Sequence, residues 1–239
     1  MRTNPMSRTG SRFQTRQCGK AGESAFTLIE LLIVIAIIAI LAALIFPVTA
    51  AVNRTKMRAK ARAELAQAET AIETYKAKLG HYPPDNPGRP STNQLYFELV
   101  GTTNVGTVAA PVYMTLDGAA KIAASQMITY FGSGNVAGFV NCTPPGGGDE
   151  GRFASTFIHD LKPGQYAILT NNASEVRYLI CSVLSPNSGF LGTQNLTPIN
   201  YNSSSPTNNP GTYDLWIDIP ISGKTNRICN WNRNPIVLP

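Results

Sequence analysis

The feature that most constrains this chain is an uninterrupted apolar run, FTLIELLIVIAIIAILAALIF, from Phe26 to Phe46. The run is about 21 residues long and holds a single ionisable side chain, Glu30. An α-helix of this length rises about 30 Å, which matches the hydrocarbon core of a bilayer. The run therefore predicts a membrane-spanning helix, with a short basic segment before it and most of the chain after it.

A secretory signal peptide is the nearest alternative. Its apolar region is usually about 7–15 residues and ends at a small-x-small cleavage site. The run in this chain is longer, and a helical pattern continues beyond it, which favours a spanning helix. Charge does not orient this helix, because five basic residues flank it on each side and the positive-inside rule gives a tie.

The sequence at the start of the run is AFTLIE, from Ala25 to Glu30, and the run ends at Pro47. This pattern closely resembles the N-terminal signature of type IV pilins and type II secretion pseudopilins. The resemblance implies that a membrane-bound prepilin peptidase cuts between Ala25 and Phe26 and then N-methylates Phe26. The family usually has glycine before the cut, where this chain has alanine. Gly22 is the alternative cleavage position, but a cut there would leave Phe26 inside the mature chain.

The same resemblance orients the chain in the membrane. It implies a single-pass protein of the inner membrane, whose N-terminus is cytoplasmic before cleavage and whose C-terminal domain is periplasmic. The expected organisation is a cleaved basic leader at 1–25, a transmembrane helix at 26–46, an amphipathic helical continuation at 47–80, and a globular pilin-like domain at 81–239.

Glu30 is the most informative side chain in the run. A carboxylate inside a bilayer costs at least about 2.5–3.5 kcal/mol, and such residues usually have a partner and a function. Reach of the glutamate to lipid headgroups would explain why the charge is tolerated. Cleavage before Phe26 creates a cationic amine four residues from Glu30, on the same helical face. Our hypothesis is that Glu30 pairs with the Phe26 amine of a neighbouring subunit and sets the axial register of a filament.

The helix is predicted to continue past Pro47, where the missing N–H predicts a kink. Gly80 suits the helix end, and Pro83-Pro84 prevent continuation. The basic residues from Arg54 to Arg62 are expected to be solvated or to face headgroups. Small or apolar residues recur at helical spacing and predict one stripe that packs on a domain: Met57, Ala61, Leu65, Ala68, Ile72, Tyr75 and Leu79.

The rest of the chain predicts an α+β fold, with the long N-terminal helix packed on a small antiparallel sheet. The helix exit, YKAKLGHYPPDNPG, resembles that of type II secretion major pseudopilins. A tight turn at Ser222-Gly223 joins the last two predicted strands into a hairpin. The segments TNQLYFELVG, ASQMITYFG and FASTFIHDLK predict short helices, and QYAILT, EVRYLICSVL, YDLWIDIPI and NRICNW predict strands.

Three cysteines, Cys142, Cys181 and Cys229, remain after removal of the leader. No pair has CxxC spacing and neither histidine is near a cysteine, so a zinc site is not expected. A periplasmic domain would hold one disulfide among the three, and the sequence leaves the pairing open.

Calcium is the cofactor that the resemblance raises, because major pseudopilins commonly bind it near their C-terminal strands. The segment YDLWID resembles the start of that region, but the glycine- and aspartate-rich loop that follows it in the family is missing here. Asp214 and Asp218 would share one face of a strand about 13 Å apart, too far to chelate one ion without a bend. No metal ligand is therefore assigned.

The formal charge of +6 suggests nucleic-acid binding at first sight. Removal of the leader takes away five basic residues and Glu23, which leaves 15 Lys and Arg against 13 Asp and Glu. A net charge near +2 does not predict a nucleic-acid partner.

The sequence has no P-loop, dinucleotide fingerprint or HExxH motif, and no nucleophile motif near its histidines, so an enzyme is not expected. The expected function is a structural subunit of a type IV pilus-like or type II secretion pseudopilus filament. Such a homo-oligomeric filament would be built from the inner membrane by secretion or pilus assembly machinery and would support protein secretion or surface attachment. The alternative is a minor pilin or adhesin-like protein, a membrane-anchored binding module whose loops hold a ligand.

Overall fold

A computed structural model of the chain describes residues 26–132, 136–145, 153–171, 174–185, 189–192 and 195–238, without the side chains of residues 44–50. The chain divides into two compact units, Met1–Thr49 and Ala50–Pro239. The predicted leader, including Ala25, lies outside the described residues.

The described helices are α1, Leu28–Leu79, α2, Leu95–Val100, and α3, Met127–Phe131. α1 ends as predicted, because Gly80 adopts a φ of 85° and its N–H donates to the carbonyl of Lys76 at 2.8 Å. Pro47 falls within the bounds of α1. A kink at Pro47 stays a prediction, since its side chain is not described.

The apolar stripe predicted on the second half of α1 is confirmed by burial. Its central members are at most 1% exposed, and its two end members, Met57 and Leu79, are partly buried against the same core. Burial of a stripe at 3.6-residue spacing is what anchors an amphipathic helix on a domain. The central members are Ala61, Leu65, Ala68, Ile72 and Tyr75.

The strands form two sheets rather than the one small sheet that was expected. The first has seven strands in the order β4-β1-β2-β3-β6-β5, with β7 also paired to β6, and the second has the order β11-β10-β9-β8. All pairs are antiparallel except β1 with β4, which is parallel. The strands are β1, Thr102–Asn104, β2, Val112–Thr115, β3, Lys121–Ala123, β4, Cys142–Thr143, β5, Tyr166–Asn171, β6, Ser174–Ser185, β7, Asn195–Pro198, β8, Asn200–Asn202, β9, Asp214–Ile221, β10, Lys224–Cys229, and β11, Ile236–Leu238.

The four predicted strands all occur, as β5, β6, β9 and β10, so the α+β class is confirmed. The predicted hairpin turn also occurs, with Ile221 paired to Lys224 across it. Ser222 and Gly223 both have positive φ, 55° and 76°, as a type I′ turn requires.

Two of the three predicted short helices are present, and the third is wrong. TNQLYFELVG contains α2 and ASQMITYFG contains α3, but residues 153–162 form neither helix nor strand. Their main chain is bound by other elements instead. The Phe157 N–H donates to the Leu99 carbonyl at 2.7 Å, and the Asn141 side chain bonds both the N–H and the carbonyl of Ser155. These bonds replace the contacts that a local helix would have made.

A buried carboxylate joins α1, α2 and the segment before β4. Glu98 in α2 is fully buried, and its side chain accepts hydrogen bonds from the Tyr75 hydroxyl at 2.9 Å and from the N–H groups of Val140 and Asn141 at 2.8 and 2.9 Å. Burial raises the pKa of Glu98, and the three hydrogen bonds offset part of that rise. The globular unit is thus fastened to α1 by a polar contact as well as by the apolar stripe.

Candidate functional site

α1 begins with a reciprocal cap between Thr27 and Glu30. The Glu30 carboxylate accepts hydrogen bonds from the Thr27 N–H at 2.8 Å and from the Thr27 hydroxyl at 2.7 Å. In return, the Glu30 N–H donates to the Thr27 hydroxyl oxygen at 3.3 Å. This arrangement is a capping box, which satisfies donors that a helix start leaves without intrahelical partners.

The cap adds Thr27 to the residues of this site. The signal for it is present in the sequence, since Thr-x-x-Glu before an apolar run is the pattern of a capping box. Thr27 holds the Glu30 carboxylate at the first turn of α1, one residue after Phe26. The predicted cut and methylation at Ala25 and Phe26 are not tested by the structure.

The side chains after the cap form a continuous exposed apolar surface. Every large apolar residue from Phe26 to Leu41 is at least 46% exposed, and Leu28 reaches 81%. An apolar surface of this extent normally marks contact with a membrane or with another protein. Within the part of the chain that the structure describes, no helix is both long enough and apolar enough to cross a membrane.

Part of the basic stretch that follows does not behave as expected. Arg54 and Lys56 are exposed, in line with a solvated stretch. Arg58 instead donates to the Asn226 side chain in β10 at 2.9 Å, and Arg62 donates to three main-chain carbonyls of residues 229–233. The expectation that the stretch as a whole is solvated or headgroup-facing is therefore wrong for these two arginines.

The loop between β8 and β9 is held by two buried carboxylates. Asp214 accepts hydrogen bonds from the N–H groups of Thr207, Asn208 and Asn209 at 2.9–3.0 Å. Burial alone would raise the pKa of Asp214, but these hydrogen bonds together outweigh burial and the pKa is lowered. Asp85, which follows α1, accepts hydrogen bonds from the N–H groups of residues 203 and 204 at 3.0 and 3.1 Å.

The same contacts bear on calcium. Asp214 is occupied by main-chain donors, and both oxygens of Asp218 accept hydrogen bonds from the Arg227 guanidinium at 2.8 Å. Among the described residues, no group of three or more His, Cys, Asp or Glu side chains is placed to hold a metal ion. The two aspartates named from the sequence are therefore each held by other residues, and the structure does not bring them together as a pair of ligands.

The three cysteines are free thiols in the structure, so the predicted disulfide is not present in it. Cys142, Cys181 and Cys229 lie in β4, β6 and β10, and no two of these strands pair with each other. Burial raises the pKa of all three thiols, that of Cys181 to about 12. A raised pKa suppresses the reactive thiolate, so these thiols are structural rather than nucleophilic.

Comparison with known families bears on the first 46 residues. Residues 20–46 match the family described as prokaryotic N-terminal methylation motif. No curated protein and no solved structure shows significant similarity to the chain. The matched stretch includes the predicted cut between Ala25 and Phe26 and the capping pair of Thr27 and Glu30. The chain therefore carries, at residues 20–46, the prokaryotic N-terminal methylation motif typical of type IV pilin-like and pseudopilin-like proteins that prepilin peptidase processes.

Proposed function

We propose that this protein is a structural, non-enzymatic subunit of a filament, either a type IV pilus-like fibre or a type II secretion pseudopilus. The observation that carries the proposal is the methylation motif at residues 20–46. In this proposal the precursor sits in the inner membrane through residues 26–46, with the globular unit in the periplasm. Prepilin peptidase removes residues 1–25 and methylates Phe26, and the assembly machinery then moves the subunit into the fibre.

The exposed apolar surface from Phe26 to Leu41 supports this path. A helix that is apolar all round is normally buried, either in a membrane or among other helices. A filament subunit meets both surroundings in turn: lipid before assembly, and the helices of other copies afterwards. The same surface thus serves storage in the membrane and packing in the fibre.

Processing is tested by mass spectrometry of the N-terminus of the protein isolated from its natural host. The expected mature chain starts at Phe26 and is one methyl group heavier than the bare sequence. The same strain without its prepilin peptidase should retain residues 1–25. An intact N-terminus in the normal strain, or one that starts after Ala43 as a signal peptidase would leave it, would rule the proposal out.

The role of Glu30 in assembly is tested by two substitutions that separate charge from capping. Glu30→Ala removes both the charge and the cap with Thr27. Glu30→Gln keeps a side chain that can complete a capping box but carries no charge. If Glu30 pairs with the Phe26 amine of a neighbouring copy, both variants should be processed normally yet enter filaments poorly. Normal assembly of Glu30→Gln would show that the cap, and not the charge, is what matters.

Cellular abundance distinguishes this function from the alternative of an adhesin-like tip protein. The main subunit of a filament is made in many copies, whereas a tip protein is made in few. Quantitative proteomics of the membrane and fibre fractions should therefore place this protein among the most abundant fibre components. A level far below that of another methylated subunit would favour the tip protein.

A further inference from the structure

Three main-chain carbonyls converge on one side chain of α1. Arg62 donates to the carbonyl oxygens of Cys229, Asn232 and Arg233 at 2.6, 2.7 and 2.6 Å. One terminal nitrogen serves Cys229 and the other serves the remaining two, so the whole end of the guanidinium is used. These carbonyls lie where β10 ends and before β11 begins, so that no strand partner supplies their donors.

The carbonyls are held in place independently of the arginine. The Asn230 side chain accepts a hydrogen bond from the Leu215 N–H at 3.1 Å and donates to the Tyr213 carbonyl at 2.9 Å. The Asn234 N–H donates to the Asn232 side chain at 3.0 Å, which closes the next turn. Residues 229–233 are therefore shaped by their own hydrogen bonds before any cation is counted.

We infer that residues 229–233 form a binding site for a planar guanidinium cation, and that Arg62 fills this site from within the chain. We call the contact of Arg62 with the three carbonyls the C-terminal latch. An arginine suits such a site because its donors are fixed in one plane and its charge is always present. The latch ties the end of the chain, including edge strand β11, to the helix that carries the methylation motif.

The chain offers a matched control for Arg62. Arg58 lies one turn earlier on α1 and also reaches the β9–β10 sheet, but it makes a single hydrogen bond to the Asn226 side chain. Removal of either arginine takes one positive charge from the same part of α1. Only removal of Arg62 leaves main-chain carbonyls without their donors, which is the costlier change.

The latch also has built-in reporters. The two tryptophans of the chain, Trp216 and Trp231, lie beside it with ring centroids 5.9 Å apart. Cys229, whose carbonyl belongs to the latch, has a fully buried side chain, and Cys181 is 1% exposed in the other sheet. Labelling of Cys229 reports local opening at the latch, whereas labelling of Cys181 reports opening of the core.

The experiment uses the full chain, purified in detergent, as wild type, Arg62→Ala and Arg58→Ala. In Arg62→Ala, alkylation of Cys229 mapped by mass spectrometry should be at least about tenfold faster, because local opening is made easier. Cys181 labelling should stay at the wild-type rate, and tryptophan emission should move to longer wavelength. The Arg58→Ala protein should match wild type in all three. Unchanged Cys229 labelling in Arg62→Ala would overturn the latch.

Rescue then tests the binding site itself. Millimolar guanidinium chloride, far below the molar range in which it denatures proteins, should slow Cys229 labelling in Arg62→Ala. Sodium chloride at the same ionic strength should not, and neither salt should change Arg58→Ala. Failure of guanidinium to slow the labelling would overturn the inference of a cation site. If Arg62→Ala does not fold, Arg62→Lys is used, and its Cys229 labelling rate must still exceed that of wild type.

Discussion

Removal of one hydroxyl group tests how the globular unit is fastened to α1. The Tyr75 side chain is fully buried, and its hydroxyl donates to the Glu98 carboxylate at 2.9 Å. Burial and the nearby negative charge of Glu98 raise the pKa of Tyr75, so the hydroxyl keeps its proton and acts as a donor. Tyr75→Phe deletes this donor and leaves the ring in place.

The expected cost follows from what remains. A hydrogen bond to a charged group contributes about 1.5–3 kcal/mol. Glu98 keeps the N–H donors of Val140 and Asn141, so the larger penalty for an unpartnered buried charge does not apply. Tyr75→Phe should therefore lower the free energy of unfolding by about 1.5–3 kcal/mol, which corresponds to a fall in Tm of about 3–12 °C for a unit of this size.

The assay is thermal unfolding of the full chain in detergent, followed by circular dichroism, with Tyr130→Phe as the matched control. The Tyr130 hydroxyl is buried and has no hydrogen-bond partner among the described residues. Its removal should leave Tm unchanged or raise it slightly, because an unsatisfied buried polar group is lost. In a Glu98→Gln background, Tyr75→Phe should cost less than in wild type, since the two residues are coupled. Equal Tm values for Tyr75→Phe, Tyr130→Phe and wild type would refute the reasoning.

Three further outcomes are expected. Because the pKa of Asp214 is lowered in the folded state, its contribution to stability is complete above about pH 4 and is lost as pH falls through the lowered value. The Tm gap between wild type and Asp214→Asn should thus be widest near neutral pH and shrink in acid, and a constant gap would contradict this. Gly101→Ala should cost more than about 2 kcal/mol, because φ is +81° and the new Cβ would lie 2.8 Å from the Ser155 carbonyl oxygen. Gly118→Ala, at φ +69° in open space, should cost only about 1–2 kcal/mol. Calcium and a chelator should leave Tm unchanged; a rise of several degrees with calcium would indicate a site formed by residues other than Asp214 and Asp218.

Features encoded over short stretches of chain could be predicted. The stripe from Met57 to Leu79 follows from 3.6-residue periodicity, which is a property of the helix itself. The end of α1 at Gly80 and the turn at Ser222-Gly223 follow from the residues that tolerate positive φ. The methylation motif is likewise a continuous run of residues, so the pattern from Ala25 to Glu30 was sufficient to indicate it.

Contacts between distant residues could not be predicted in this way. Residues 153–162 have a helix-like composition, yet Leu99 and Asn141 bind their main chain in another conformation. Arg62 has the same composition around it as Arg54 and Lys56, and only the fold places three carbonyls before it.

The sequence by itself thus determined the N-terminal motif, the long helix with its apolar and amphipathic halves, and the main strands, because each depends on local periodicity and backbone preference. Only the tertiary structure decided where the buried charges act: Glu98 against Tyr75, Asp214 against its loop, and Arg62 against the C-terminal carbonyls. The physical reason is that a buried charge needs partners, and main-chain N–H and C=O groups, which every residue carries, leave no mark in the sequence.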